Sequence, residues 1–439
     1  MKTYLAAAVL FAMVTLPGSL RAQEPERPDS VLIQLRRLQR RLDSLERTIA
    51  ELRAARKDTT SATDALAALR AAARRAAGAN QPQAKGGDQA QSRTRNLQRL
   101  NPEISVTGDV VGDVFSPDGE TARFTAVPRE FEFSFQAALD PYTHTKVFGS
   151  KESDFPIAGF EAPGALPAPG DTAIAADEEP STFKIEEGYM YWVGLPGGLG
   201  LKVGKFRQEL GLYNRWHTHA LFEISRPLAT MALLGEEGLI QTGASLTLPP
   251  VTVGRATQTL VLEVTHADNE VLFGGNGDAS YLGRFQNFWD LGSNSYVQFG
   301  ATGLYGRHDG MNSRLLDLDF ALRWIPGGNV LYHDFQLKGQ WYIARRDRVG
   351  PTDEGSGGYV QASYKATQRW ILGTRVDYVD GYGTDPTLVQ VVPSLTWWQS
   401  EWVRLRLQYN YLKPNGLGAN HTVLMQFVWA IGPHKHETY

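Results

Sequence analysis

From Glu103 to the C-terminus, apolar side chains recur at every second position, in stripes too long for the strands of an ordinary soluble domain. Phe131, Phe133, Phe135, Ala137 and Leu139 alternate with Glu130, Glu132, Ser134 and Gln136. The period of two returns in Leu316, Leu318, Phe320, Leu322 and Trp324, again in Phe335, Leu337, Trp341 and Ile343, and again in Val403, Leu405, Leu407, Tyr409 and Tyr411. Because successive strand side chains point to opposite faces, each such segment has one greasy and one wet face. Stripes of about nine to eleven residues match a tilted strand crossing a bilayer, whereas soluble strands run about five or six. Aromatic residues gather at stripe ends, as in Tyr189, Tyr191, Trp192, Trp370, Trp397, Trp398, Trp402 and Trp429, where an interfacial girdle would place them. The expected fold is all-β, a transmembrane antiparallel β-barrel of about 16 strands.

The connections alternate in length. Residues 140–142, 195–198, 325–329 and 398–401 make short turns, and residues 152–182, 208–237, 266–278 and 346–358 make long loops. Short turns at one rim and long loops at the other, with an even strand number, put both ends of the barrel on the periplasmic side.

The chain ahead of the barrel divides into three parts. Lys2, the thirteen apolar-rich residues 4–16, the helix break at Pro17-Gly18 and the small Ala22 form an export signal over residues 1–22. Its apolar core falls short of the roughly 20 residues of a membrane-spanning helix. Residues 23–77 form a periplasmic α-helical coiled-coil segment, with Leu35, Leu42 and Ile49 at a positions and Leu38, Leu45 and Leu52 at d positions. Residues 78–102, rich in Gly, Gln, Asn and Ser without an apolar period, form a flexible linker, and residues 103–439 form the barrel. A surplus of basic residues over 23–101 suits a contact with anionic peptidoglycan as well as a plain solvated rod. The chain has no cysteine, which excludes disulfides, thiolate metal sites and a cysteine nucleophile. A formal charge of −3 gives no case for nucleic acid.

A barrel of this size encloses water, so selectivity falls to inward charges. Alternation directs Lys184, Lys202, Arg323, Lys338, Lys365, Arg375, Arg404 and Arg406 into the lumen, together with Asp109, Asp113, Glu130, Glu132, Glu186, Glu263, Asp317, Asp319 and Asp377. The loop 208–237 combines Arg215, His217, His219 and Arg226 with apolar Leu221, Phe222, Ile224, Leu228, Met231, Leu233 and Leu234. So much grease should fold against the inner wall and narrow the channel. Its cations, with Lys202, Lys205 and Arg207, form a candidate anion-binding constriction. Alternatively Arg215 and Arg226 pair with Glu209, Glu223, Glu236 or Glu237 and lock the loop. The pairs His217/His219 and His434/His436 have no third ligand near them in sequence, so no metal, cofactor or enzymatic activity is expected.

Gly204-Lys205-Phe206-Arg207, Gly211, Asn214-Arg215, His217-Thr218-His219, Arg226-Pro227-Leu228, Gly235-Glu236-Glu237-Gly238 and Thr242-Gly243 resemble the phosphate-selective porin O and P family. Asn101-Pro102-Glu103-Ile104-Ser105-Val106, Gly108-Asp109 and Gly432-Pro433-His434-Lys435 resemble its relatives without an assigned solute. The resemblance implies a trimeric outer-membrane porin passing small polar solutes or ions, with phosphate-like anions favoured and outer-membrane lipid around it. A trimer would suit the N-terminal heptads. The competing expectation is structural: an envelope tether that links the membrane to the cell wall through its basic rod.

Overall fold

The computed structural model describes residues 102–117, 123–153, 183–274, 277–292, 294–328, 332–347, 352–381 and 384–432. The export signal, the heptad segment, all of the linker up to residue 101, residues 154–182 and the pair His434/His436 lie outside the described residues.

Among the described residues seventeen strands follow in chain order: β1 (Glu103–Pro117), β2 (Arg123–Ala138), β3 (Thr143–Glu152), β4 (Lys184–Leu195), β5 (Leu199–Arg207), β6 (Ile240–Thr247), β7 (Val251–Val253), β8 (Ala256–His266), β9 (Ala279–Gly292), β10 (Ser295–His308), β11 (Met311–Trp324), β12 (Asp334–Arg346), β13 (Asp353–Lys365), β14 (Trp370–Gly381), β15 (Thr384–Trp398), β16 (Val403–Pro414) and β17 (Asn420–Ile431). Apart from β6 and β7, each pairs antiparallel with its sequence neighbours, and β1 also pairs with β17, so the sheet closes on itself. β6 and β7 both face β8. They are one strand broken at Leu248-Pro249-Pro250, where two prolines have no N–H to offer the ladder. The ring is therefore a closed barrel of sixteen strands.

Its packing is inside-out. On β17, Met425 is 61% and Phe427 39% exposed on the outer surface, while Gln426 between them is fully buried in the interior. The same inversion holds on β11, where Leu316 and Leu318 face out and Asp317 and Asp319 are buried. Eight of the ten tryptophans, all but Trp216 and Trp341, lie at or near the rim that carries the start of β1 and the end of β17. They make a belt at one end of the barrel, with pairs such as Trp370 and Trp397 at 6.2 Å between ring centroids.

The opposite rim departs from uniformly long loops. β10 and β11 join through Asp309-Gly310, both at positive φ, the geometry of a two-residue hairpin turn. The long loop expected over 346–358 shrinks to residues 347–352, because Arg346 already pairs with Asp353 and the ladder continues through Gly355, Ser356, Gly357 and Gly358. That run reads as a loop by composition. A ladder needs only backbone, however, and its lack of side chains makes room inside: a Cβ on Gly357 would stand 2.9 Å from Cβ of Ala229.

Candidate functional site

The loop between β5 and β6, residues 208–239, lies inside the ring. Its neck is tied by Asn214, whose amide donates to the carbonyls of Gln208 (2.8 Å) and Leu239 (2.9 Å) and whose oxygen accepts from Leu239 N at 2.7 Å. The middle of the loop carries a short helix α1 (Leu228–Leu234), begun after Pro227 and ended at Gly235 with φ 84°. A helix apolar on every side must be buried on every side. α1 packs on inward apolar residues of the wall, among them Leu282, Leu304, Leu315, Tyr342, Val379 and Leu412, and against a second short helix α2 (Glu270–Phe273) from the β8–β9 loop.

One flank of the loop is held through its own side chains. His217 Nδ1 lies 2.7 Å from Glu132 Oε2 and 3.0 Å from Glu186 Oε2, and its Nε2 lies 2.7 Å from Glu187 Oε1. His219 Nδ1 is 2.9 Å from Glu130 Oε1, and its backbone N–H donates to the same carboxylate. Arg207 at the end of β5 donates to Glu186 (2.9 Å) and to the carbonyl of Glu237 (2.6 Å). Burial works against charge on both imidazoles. Glu132 and Glu186 nevertheless carry His217 well above the ordinary histidine value, and Glu130 and Glu132 raise His219.

Strict alternation would send Glu187 to the outer surface and leave Arg129 outside as well. Two β-bulges bring them in. β3 opposes Phe148 to Glu187 but Gly149 to Ile185, so Glu186 and Glu187 both face the interior. β1 opposes Asp109 to Glu130 but Val110 to Pro128, so Arg129 is the extra residue, and it turns inward to pair with Asp109 and donate to Ile224 O at 2.6 Å. Bulges re-aim side chains in this way. The only sequence signals were a proline inside the β2 stripe and two consecutive glutamates.

The other flank is held through loop backbone. Arg375 on β14 donates to Ser225 O at 2.7 Å and pairs with Glu223 (3.2 Å) and Asp377 (2.9 Å). Arg406 on β16 donates to Leu221 O at 3.1 Å, and Arg404 donates to His219 O. Gln340 accepts from Leu212 N at 3.1 Å and Gln408 from Ile224 N at 2.7 Å. Tyr213 donates to Glu223; burial first, and then that carboxylate, push its phenol well above the ordinary tyrosine value, so it stays a donor.

The remaining expected residues fall into two groups. Arg226 donates to the carbonyls of Glu236 (2.7 Å), Trp216 (2.8 Å) and Tyr213 (3.3 Å), and burial followed by the nearby Arg207 lowers its guanidinium to about 9. Lys205 donates to Ile185 O at 2.8 Å, Arg323 pairs with Asp334 at 2.7 Å, and Lys338 stands 3.2 Å over the ring of Phe222. Lys202 lies 5.1 Å over the ring of Tyr189. Among the described residues, Arg215, Arg226, Arg404 and Arg406 make no ion pair with a carboxylate. Nε of Arg404 is buried and receives no partner.

Two chambers flank the loop. One, of about 790 Å³ toward the tryptophan belt, is lined by Lys146, Lys365, Arg404, Arg406, Trp398 and Trp402, with Glu223, Asp334 and Glu401 as its acids. The other, of about 600 Å³ toward the opposite rim, is lined by Glu130, Glu152, Glu236, Glu237, Asp268 and Glu270 against Arg129, Lys184, Lys205 and Arg226.

No family model matches the chain. It is 24% identical over 314 residues to a chain of Aquifex aeolicus (strain VF5) described only as an uncharacterized protein, covering 61% of this chain and 65% of that relative, a little under two thirds of its length. Among solved structures, OprB of Pseudomonas putida superposes with a TM-score of 0.50 at 12% identity, over 79% of this chain and 97% of that one. The anion-selective porin of Comamonas acidovorans gives 0.49 at 13% identity, over 75% and 100%, and the outer membrane channel DcaP of Acinetobacter baumannii gives 0.47 at 9%, over 75% and 98%. The OprB likeness is one of fold: a closed antiparallel barrel.

Proposed function

We propose that the protein is an outer-membrane porin through which small polar solutes and ions diffuse passively, with a preference for phosphate-like oxyanions. The observation that carries this reading is the inside-out barrel with a loop folded across its interior. An apolar outer surface ringed by tryptophan belongs in lipid, and a polar interior belongs in water. The loop then forms the constriction.

The anion preference is supported by the cations without a carboxylate partner. Arg404 and Arg406 face the larger chamber beside Lys365 and Lys146 and spend their hydrogen bonds on neutral oxygens. Arg215 stands half-buried in the loop. Guanidinium groups bind oxyanions through paired charge-assisted hydrogen bonds. The acid-rich chamber at the other rim would admit cations as readily as anions, so selection falls to the larger chamber toward the tryptophan belt. In this reading residues 1–22 export the chain, and the heptads over 23–77 support a homotrimer. Reconstitution into planar bilayers tests the proposal. Ion conductance with a reversal potential on the anion side in asymmetric salt is expected, and Arg404→Glu with Arg406→Glu should move it toward cations. Absence of conductance from intact, folded protein would overturn the porin reading, and an unmoved reversal potential would overturn the anion site.

A further inference from the structure

The cluster that grips His217 has the makings of a metal site. Nδ1 of His217 and carboxylate oxygens of Glu130, Glu132 and Glu186 all lie within 4.8 Å of one another, on four buried residues. Ligands about 2.0–2.2 Å from a shared centre stand roughly 3.3 Å apart in a tetrahedron. Nδ1 is already 2.7 Å from Glu132 and 3.0 Å from Glu186, so small side-chain movements would open the needed space.

A second observation is independent of this proximity. Glu132 is 1% exposed and its Oε2 meets His217, yet its Oε1 receives no hydrogen bond, and Oε1 of Glu186 receives none either. Buried carboxylate oxygens left so are costly. The far side of the imidazole is also arranged as a metal ligand requires. Nε2 lies 2.7 Å from Glu187 Oε1, where a carboxylate would orient a metal-bound imidazole from its outer side.

Charge agrees. Glu130, Glu132, Glu186 and Glu187 gather four carboxylates around a single guanidinium, Arg207, an excess of acid in a buried place that a dication would offset.

We propose that His217, Glu132 and Glu186, with Glu130 completing the set, bind a first-row transition dication of the zinc type, which staples the constriction loop to β2 and β4. One imidazole nitrogen among carboxylates favours such an ion over calcium or magnesium, which prefer oxygen alone. The inference rests on the cluster and not on conduction, so it stands or falls separately from the porin reading.

The test uses full-length protein in detergent, stripped with a chelator and titrated at pH 8 with Co²⁺ alone and with Zn²⁺ alone. One ion per chain should bind, Co²⁺ giving a visible absorption band that Zn²⁺ abolishes, and Zn²⁺ should raise the unfolding temperature. His217→Ala should weaken binding by more than about 100-fold, and Glu187→Gln by roughly 10–100-fold, whereas His266→Ala should leave it unchanged. Absence of a Co²⁺ band in the wild type, or equal affinity in wild type and His217→Ala, would overturn the site. If His217→Ala fails to fold, the near-isosteric Glu132→Gln decides: lost affinity supports the site and unchanged affinity removes it.

Discussion

The two flanks of the loop inside the barrel are fastened by opposite means. Toward β2 and β4 the loop offers cationic side chains to wall carboxylates, as in His217 with Glu132 and His219 with Glu130. Toward β14 and β16 the wall offers guanidinium groups to loop carbonyls, as in Arg375 with Ser225 and Arg406 with Leu221. A carbonyl never changes its charge and is present whatever residue bears it. The arginine flank therefore depends on the path of the backbone, and the carboxylate flank on two particular histidines. One fastening is permanent and the other can be altered by whatever binds an imidazole.

The largest test of this contrast is Arg375→Ala. It leaves Glu223 and Asp377 buried without their cation and frees the carbonyl of Ser225, so a loss of about 3–5 kcal/mol is expected in denaturant titration of the detergent-solubilised protein. A loss below about 1 kcal/mol would show that the arginine flank is not the main anchor. On the other flank, a double-mutant cycle between His219→Ala and Glu130→Gln should return a coupling of about 1–3 kcal/mol; additive effects would mean that the pair holds nothing. Gly211→Ala probes the point where the loop crosses toward β12. Gly211 has φ 58° and a Cβ there would overlap the Gln340 amide, so a cost of about 1–3 kcal/mol is expected from strain and from the displaced amide. The smallest effect belongs to Lys184→Ala. Its pair with Glu237 at 3.4 Å is more than half exposed at the lysine, and the loss should stay under about 1 kcal/mol. A larger effect would place part of the loop's fastening at the rim.

Most of the wall was legible from its period. Leu316 and Leu318 against Asp317 and Asp319, or Arg404 and Arg406 against Leu405 and Leu407, can be assigned to a face without coordinates, because the side-chain period of a strand is two and the sheet is closed. Arg284 follows the same rule, in phase with Ser280 and Leu282, and the sequence reading passed it over. Glu187 and Arg129 could not be assigned that way, since a bulge shifts the phase by one residue and alternation then points each to the wrong face. The loop's entry into the barrel followed from its excess of leucine, isoleucine and methionine. Its partners did not, because they lie on strands far away in sequence: Arg375 is 150 residues from Ser225 and Arg404 is 185 from His219.

By itself the sequence determined that this chain builds a barrel with an apolar outside and a charged inside, since the alternation of strands is a local property that survives any detail of packing. Only the tertiary structure decided which charges meet. Glu130, Glu132 and Glu186 surround His217 because ring closure, strand register and two bulges set their positions together, and none of those three is a property of neighbouring residues in the chain.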